Sequence, residues 1–244
     1  MNIVLKRWRK RLLVHLRKEN SVLKFINTEV WGFRHSFRGM RNPKDSWSKS
    51  DSGLCKGGDD GIGCDNCAIQ DKCKHAYDGE YKIGKEDMKL AQKLLRAGNE
   101  HAKFMRMIHV AVDTDMPRYW HSEADTYHFN TKNSCSTMHK ICSIDIRQCC
   151  NKYVWSSTID NLELKVKEYN SLTNKSTQEA KELYLEILYN VPSGFELVAR
   201  MTTNYQQLKT IYFQRRHHRL PDWHMICDWI ETLPESNLIT DKIK

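Results

Sequence analysis

Residues 44–84 set the tightest limit on what this chain can fold into. The stretch SWSKSDSGLCKGGDDGIGCDNCAIQDKCKHAYDGEYKIG is rich in Gly, Asp, Ser and Lys and poor in aliphatic side chains. A segment of that composition gains too little from apolar burial to offset the entropy of ordering its backbone, so it needs a staple. The hydrophobic core must therefore come from the residues on either side. The expectation is a single domain over 1–244 that carries a Cys-rich insert at 44–84.

The staple is written into the insert. Cys55, Cys64, Cys67 and Cys73 follow the spacing C-x8-C-x2-C-x5-C. A CxxC pair brings two thiolates to one ion from a single turn, and neighbouring glycines let the backbone wrap closely. Four thiolates form a closed tetrahedral set, suited to zinc or to a [4Fe-4S] cluster, and both identities stay open. His75 is a weaker alternative ligand. The spacing resembles the cluster-binding end of some iron–sulfur exonucleases of the CRISPR-associated and recombination-repair types, but no nuclease carboxylate pattern accompanies it. The chain holds nine cysteines, and Cys135, Cys142, Cys149, Cys150 and Cys227 are scattered rather than framed as disulfides. That usage points to a reducing, cytoplasmic setting.

Charge narrows the partners. Of the net +9, seven positive charges (Lys6, Arg7, Arg9, Lys10, Arg11, Arg17 and Lys18) fall in the first eighteen residues, with Leu5, Trp8, Leu12 and Leu16 at helical spacing. Such a helix carries either a solvated basic face or a surface for nucleic acid. No apolar run approaches the roughly 20 residues of a membrane helix. The start also lacks the apolar region and small-residue cleavage site of a secretory signal. It is Arg-rich like a mitochondrial presequence but short of serine.

Patterning gives the elements. VLKFINTEVWGFRHSFRGMRNPKDSW reads as a strand and a helix that ends near Asn42-Pro43, because the residue before proline avoids the α region. Lys85 to Ala97 is a helix stopped by Gly98-Asn99. A second helical stretch begins at Glu100, and alternation of Ile108, Val110 and Val112 predicts a strand. Thr114 or Asp115 caps the next helix, with Pro117 in its first turn, and places Met116, Tyr119, Trp120, Glu123 and Tyr127 on one face. Residues 129–150 are irregular and polar. Ser176 and Glu179 form a capping box, Asn204 to Arg216 is a helix, and Pro221 opens the last one, with Trp223, Ile226, Cys227 and Ile230 on a face. Trp120, Trp155, Trp223 and Trp229 are read as core.

Arg215 ends the apolar stripe of Leu208, Ile211 and Tyr212. An inward guanidinium needs an anion, since an unpaired buried charge is costly. Its fork suits phosphate or carboxylate, and Arg216, His217, His218 and Arg219 stand beside it. An internal ion pair or a snorkelling surface Arg is the competing reading.

MTTNYQQLKTIYFQRRHHRLPDWHMICDWI resembles the late active-site helix of flavin-dependent thymidylate synthases. In that family an Asn opens the helix, a Leu follows four residues on, and an Arg lies eleven after the Asn. Here these are Asn204, Leu208 and Arg215. Glu100, His101 and Phe104 before a strand resemble the family's Glu-His segment. RYWHSEADTYHFNTKNSCSTMHK occupies the place of its Arg-His-Arg motif and serine loop, but has His121, Ser122 and Glu123 in place of Arg-His-Arg.

The resemblance implies an α/β (α+β) fold, with a central, mostly antiparallel sheet flanked by helices. It also implies a homotetramer with shared active sites. The implied reaction moves a one-carbon unit from methylenetetrahydrofolate to the pyrimidine C5 of dUMP or a related uracil nucleotide, with FAD reduced by NADPH. Arg215 would hold the nucleotide, joined by Arg216 and Ser136. His101, His121 and Asn204 would serve the flavin, and Glu123 and Ser134 the chemistry. The competing class is a nucleic-acid-binding or DNA-modification protein on the same scaffold without flavin. Cys135 with His139 as a nucleophilic pair, and His109 with Asp113 and Asp115 as a metal site, are weaker candidates.

Overall fold

The structure is a computed structural model that describes residues 24–54 and 81–241. The basic start and the four expected metal ligands Cys55, Cys64, Cys67 and Cys73 lie outside the described residues, as does His75. Among the described residues no helix is long and apolar enough to cross a membrane.

In chain order the elements are β1 (Phe25–Trp31), α1 (Phe33–Arg41), β2 (Gly53–Leu54), β3 (Tyr81–Lys82), α2 (Lys85–Ala97), β4 (His109–Pro117), α3 (Arg118–Ala124), β5 (Thr131–Ser134), α4 (Thr137–Lys140), α5 (Ile146–Cys149), α6 (Ser156–Ser171), α7 (Gln178–Tyr189), β6 (Glu196–Asn204), α8 (Tyr205–Arg215), α9 (Pro221–Thr232) and α10 (Asn237–Thr240). The long strands form an antiparallel sheet in the order β1-β4-β6-β5, so the expected α/β class with helices around such a sheet is present. β2 and β3 pair antiparallel, Gly53 opposite Lys82 and Leu54 opposite Tyr81, at the two ends of the cysteine-rich stretch.

The described chain divides into two compact units, one of residues 24–26, 113–128 and 132–201, the other of 27–54, 81–112, 129–131 and 202–241. The first unit has its own core. α6 buries Ile159, Leu162 and Val166, and α7 buries Ala180, Leu183 and Ile187; these are stripes at three- and four-residue spacing, as an amphipathic helix requires. They pack with Ile141, Ile146 and Phe195. Each fully buried aliphatic side chain contributes about 1.5–3 kcal/mol. In the second unit α1 buries Phe33, Phe37 and Met40, α8 buries Tyr205, Leu208, Ile211 and Tyr212, and α9 buries Trp223, Ile226, Cys227, Trp229 and Ile230. Gly32 opens α1 at φ 99°, and a Cβ there would lie 2.1 Å from the Met107 carbonyl oxygen. Only glycine meets both demands.

Several local expectations need correction. β4 runs through Asp115 to Pro117, and the helix begins only at Arg118. The polar residues 113–115 stay extended because partners meet them there. Thr114 Oγ1 donates to the Ala199 carbonyl at 3.3 Å, Asp113 pairs with Arg200 at 3.3 Å, and Asp115 N–H donates to the Lys24 carbonyl at 3.1 Å. The stretch after Glu100 is a turn and a short 3₁₀ segment, Lys103–Met107, rather than an α-helix. Thr177, not Ser176, caps α7, accepting from Ala180 N–H at 3.2 Å, while Ser176 N–H is held by Asn174 Oδ1 two residues earlier. Trp155 is not core; it is 79% exposed.

Candidate functional site

In the second unit the candidate site is built on α8. Asn204 ends β6, and its Oδ1 accepts from Gln207 N–H at 2.9 Å, satisfying a donor that every helix start leaves open. The first two turns are buried on almost every side, since Tyr205, Leu208 and Tyr212 are each 0% exposed. Tyr205 Oη donates to the Pro234 carbonyl, and Tyr212 Oη donates to Glu231 Oε1 at 2.6 Å. α8 is therefore a fixed rod, and what it carries at its end is placed rather than mobile.

That end carries Arg215 and Arg216. The Arg215 guanidinium lies 4.5 Å from the centre of the Trp223 ring, and Arg216 lies 4.8 Å from the Tyr212 ring. Both arginines are half-buried, and the Trp223 indole beneath Arg215 is fully buried. A cation over an indole face gains about 0.5–2 kcal/mol, which fixes where the guanidinium lies. Arg216 Nε is buried with no hydrogen-bond partner among the described residues. Such an orphan donor costs about 1–3 kcal/mol unless something binds it. His218 packs edge-on against Trp223 at 6.4 Å, and its carbonyl meets His224 Nε2 at 2.5 Å, which fixes the turn between α8 and α9.

The other end of α8 meets the turn that follows α2. Gln206 Nε2 donates to Asn99 Oδ1 at 3.2 Å, while Gln206 Oε1 is buried and unpartnered among the described residues. His101 belongs to that turn; its side chain is 53% exposed, with Nε2 3.6 Å from Glu100 Oε1. Gln207 Oε1 accepts from Phe129 N–H at 3.3 Å and Thr203 Oγ1 donates to the Phe129 carbonyl at 2.8 Å, tethering a short segment whose Asn130 Oδ1 is also buried and unpartnered. Asn204 and His101 are thus brought to one end of α8, and Arg215 with Arg216 to the other, about 16 Å away at 1.5 Å per residue.

In the first unit α3 carries His121 and Glu123. His121 is 7% exposed. Its Nε2 lies 3.2 Å from the Leu197 carbonyl and its Nδ1 3.4 Å from Lys132 Nζ, so Nε2 holds the proton and Nδ1 accepts. Lys132 also donates to the His121 carbonyl at 3.1 Å and pairs with Asp125 at 2.6 Å. Burial first, then the neighbouring Lys132 ammonium, push the imidazole below its ordinary 6.5. Glu123 is half-buried and engaged within the chain. Ser134 is exposed on β5. Ser136 caps α4, accepting from His139 N–H at 3.2 Å, and its Oγ lies 2.7 Å from His139 Nδ1. His139 therefore meets Ser136 rather than Cys135. The expected cluster of His109 with Asp113 and Asp115 is not gathered: His109 stacks on Trp31 at 5.6 Å, and among the described residues no group of three metal-ligating side chains occurs. Burial pushes the Cys150 and Cys227 thiols to about 11, which makes them poor nucleophiles.

Two solved structures share this arrangement of elements. One is the flavin-dependent thymidylate synthase ThyX from Helicobacter pylori complexed with FAD and dUMP, 12% identical over 88% of this chain and 100% of that one, with a TM-score of 0.57. A second structure of the Helicobacter pylori enzyme with FAD and dUMP gives a TM-score of 0.59 at 12% identity, over 88% and 98%. The chain has the ThyX fold. A UMP/dUMP methylase PolB from Streptomyces cacaoi bound with 5-Br UMP aligns with a TM-score of 0.45 and 14% identity over 66% of this chain and 84% of its own. No family model matches the sequence, and no curated protein matches it. Within the ThyX fold, sequence reasoning missed Trp223 as the support of Arg215, Gln206 as a buried acceptor and Lys132 as the partner of His121. The Arg215–Trp223 pair crosses two helices and a turn, so no single periodicity links them.

Proposed function

We propose that this chain is a uracil-nucleotide-modifying enzyme of the ThyX type, transferring a one-carbon unit to the pyrimidine C5 of dUMP or a related nucleotide. The observation that carries the reading is Arg215, placed by a rigid, capped helix and stacked on the buried Trp223. A guanidinium so supported pays little entropy on binding and offers a planar fork to a phosphate. Arg216, with its unpartnered Nε, adds a second donor. The fold supports the same reading, because both structures of the Helicobacter pylori enzyme that share it are complexed with FAD and dUMP.

The residues present suit a flavin at the opposite end of α8. Gln206 Oε1 is a buried acceptor without a donor among the described residues, matched to an imide N–H or a ribityl hydroxyl, and His101 is exposed in the turn whose Asn99 meets Gln206. FAD reduced by NADPH supplies the hydride when bound, and methylenetetrahydrofolate the carbon. In this reading His121 is a positioning residue, because Leu197 and Lys132 occupy both its ring nitrogens. It holds α3 against β6, and the chain dispenses with the Arg-His-Arg cations of the family. Glu123, Ser134 and Ser136 are assigned to the pyrimidine. In a homotetramer with shared sites they need not serve the nucleotide held by their own copy.

Calorimetry with dUMP, and an absorbance spectrum of protein purified without air, test this. Flavin bands at roughly 370 and 450 nm and a dUMP affinity that Arg215→Ala lowers about a hundredfold are expected, the bands being the chromophore's generic signature. Colourless protein that binds dUMP equally well with and without Arg215 contradicts the reading.

A further inference from the structure

A cleft of about 410 Å³ opens in the second unit, between α2 and the turns that follow α1. Its walls are basic. It is lined by Lys44 and Lys49 from the turns, by Glu86, Lys89 and Lys93 from α2, and by the buried Arg41 and Ser46. The charges are not equal in their freedom. Arg41 is spent on Asp87: its Nε donates to Asp87 Oδ1 at 2.6 Å in a buried pair, and Ser50 Oγ donates to the other carboxylate oxygen at 2.6 Å. Lys89 pairs with Glu86 at 2.6 Å. Lys44, Lys49 and Lys93 are exposed and have no hydrogen bond or ion pair among the described residues.

Three further features point to a ligand. Ser46 is 9% exposed, and its Oγ has no partner among the described residues, leaving a donor at the cleft wall without an acceptor. Lys85, Lys89 and Lys93 form a four-residue stripe along α2, an arrangement of like charges that works against the helix carrying it. Trp47, adjacent to Ser46, is 40% exposed yet held in place, with Nε1–H donating to Asn42 Oδ1 at 2.7 Å and the Arg38 guanidinium 5.4 Å from its ring. A fixed, open indole beside a basic groove suits a stacked base.

The floor beneath these groups is rigid. Asp51 accepts from Glu86 N–H at 2.9 Å and Asp87 N–H at 3.0 Å, serving as the cap that α2 lacks of its own. The free cations are lysines, mobile point charges suited to a succession of phosphates, whereas the one guanidinium fork at the cleft is consumed internally. The geometry points to a nucleic-acid site: the cleft binds the phosphodiester backbone of a single strand through Lys44, Lys49, Lys93 and the Ser46 hydroxyl, with Trp47 under a base.

The test is fluorescence anisotropy of a labelled oligodeoxythymidylate of about 20 nucleotides, several site sizes long, with the full chain at several salt concentrations. The variant Lys44→Ala/Lys49→Ala/Lys93→Ala should bind at least tenfold more weakly. Its log–log salt dependence should be shallower by about 2, at about 0.7 per phosphate for each of three lysines. Ser46→Ala should weaken binding about threefold, one lost hydrogen bond, without changing the salt slope. Unchanged affinity and slope in the triple variant, with its circular dichroism intact, overturn the site. So does a cleft that binds tripolyphosphate but no oligonucleotide, which would make its ligand a free polyanion. Binding of dUMP should be the same in all these variants, so this test fails or succeeds independently of Arg215.

Discussion

The end of α8 and the middle of α3 each carry nitrogen-rich side chains, and the fold treats them oppositely. Arg215 and Arg216 lie half-buried on Trp223 and Tyr212, where stacking fixes their position. His121 lies inside the first unit with both ring nitrogens occupied, and burial keeps it neutral. Aromatic support holds a cation in place at the surface, whereas a full set of hydrogen bonds retires a titratable group into the structure. A polar residue in a family's motif position is therefore not a site residue until its partners are known.

The contrast can be broken by substitutions at Trp223, Arg215, Asn204 and His121. Trp223→Ala has the largest expected effect: removing a fully buried indole costs about 3–5 kcal/mol of stability, read as a lower urea midpoint, and releases Arg215 from its platform. Arg215→Ala should lower that midpoint less, by the lost stacking of about 0.5–2 kcal/mol, and weaken dUMP binding about a hundredfold, equivalent to about 2.8 kcal/mol. Arg215→Lys, which keeps charge but loses the fork, should fall between wild type and Ala. Asn204→Ala should cost about 1 kcal/mol through the lost α8 cap, with a smaller loss of dUMP affinity as the rod frays.

The smallest effect is a slope. Because the folded His121 imidazole titrates below 6.5, both states are neutral above that pH and the stability is complete there. As pH falls below 6.5 the unfolded chain takes up a proton that the folded chain refuses, so stability declines toward the lowered folded value. His121→Gln removes this term. Urea midpoints measured from pH 7.5 to 5.5 should fall less in the variant than in wild type. An equal fall places the proton elsewhere.

Much of the scaffold was readable from spacing. α2 starts at Lys85 and ends at Ala97 because Gly98 takes φ 124°, as the Gly-Asn stop implied, and α9 begins at Pro221 with the forecast buried face. What escaped was set by partners distant in the chain. β6 was unread although Ala199, Met201 and Thr203 are buried in alternation, since Arg200 and Thr202 on its other face hide the apolar signal. Residues 113–115 look like a helix cap and become strand only because Arg200, Ala199 and Lys24 meet them. At the candidate site, Asn204, Leu208 and Arg215 were legible along one helix. The Trp223 support was not, and neither was the Lys44–Lys49–Lys93 cleft, whose two walls are separated in sequence by the cysteine-rich stretch.

The central claim is that Arg215 receives the nucleotide's phosphate. Calorimetric titration of wild type and Arg215→Ala with dUMP and with deoxyuridine measures this directly, because the two ligands differ only in that group. The account predicts that wild type prefers dUMP about a hundredfold, or about 2.8 kcal/mol, and that the preference collapses toward unity in the variant. A preference for dUMP that survives the loss of Arg215 would contradict it.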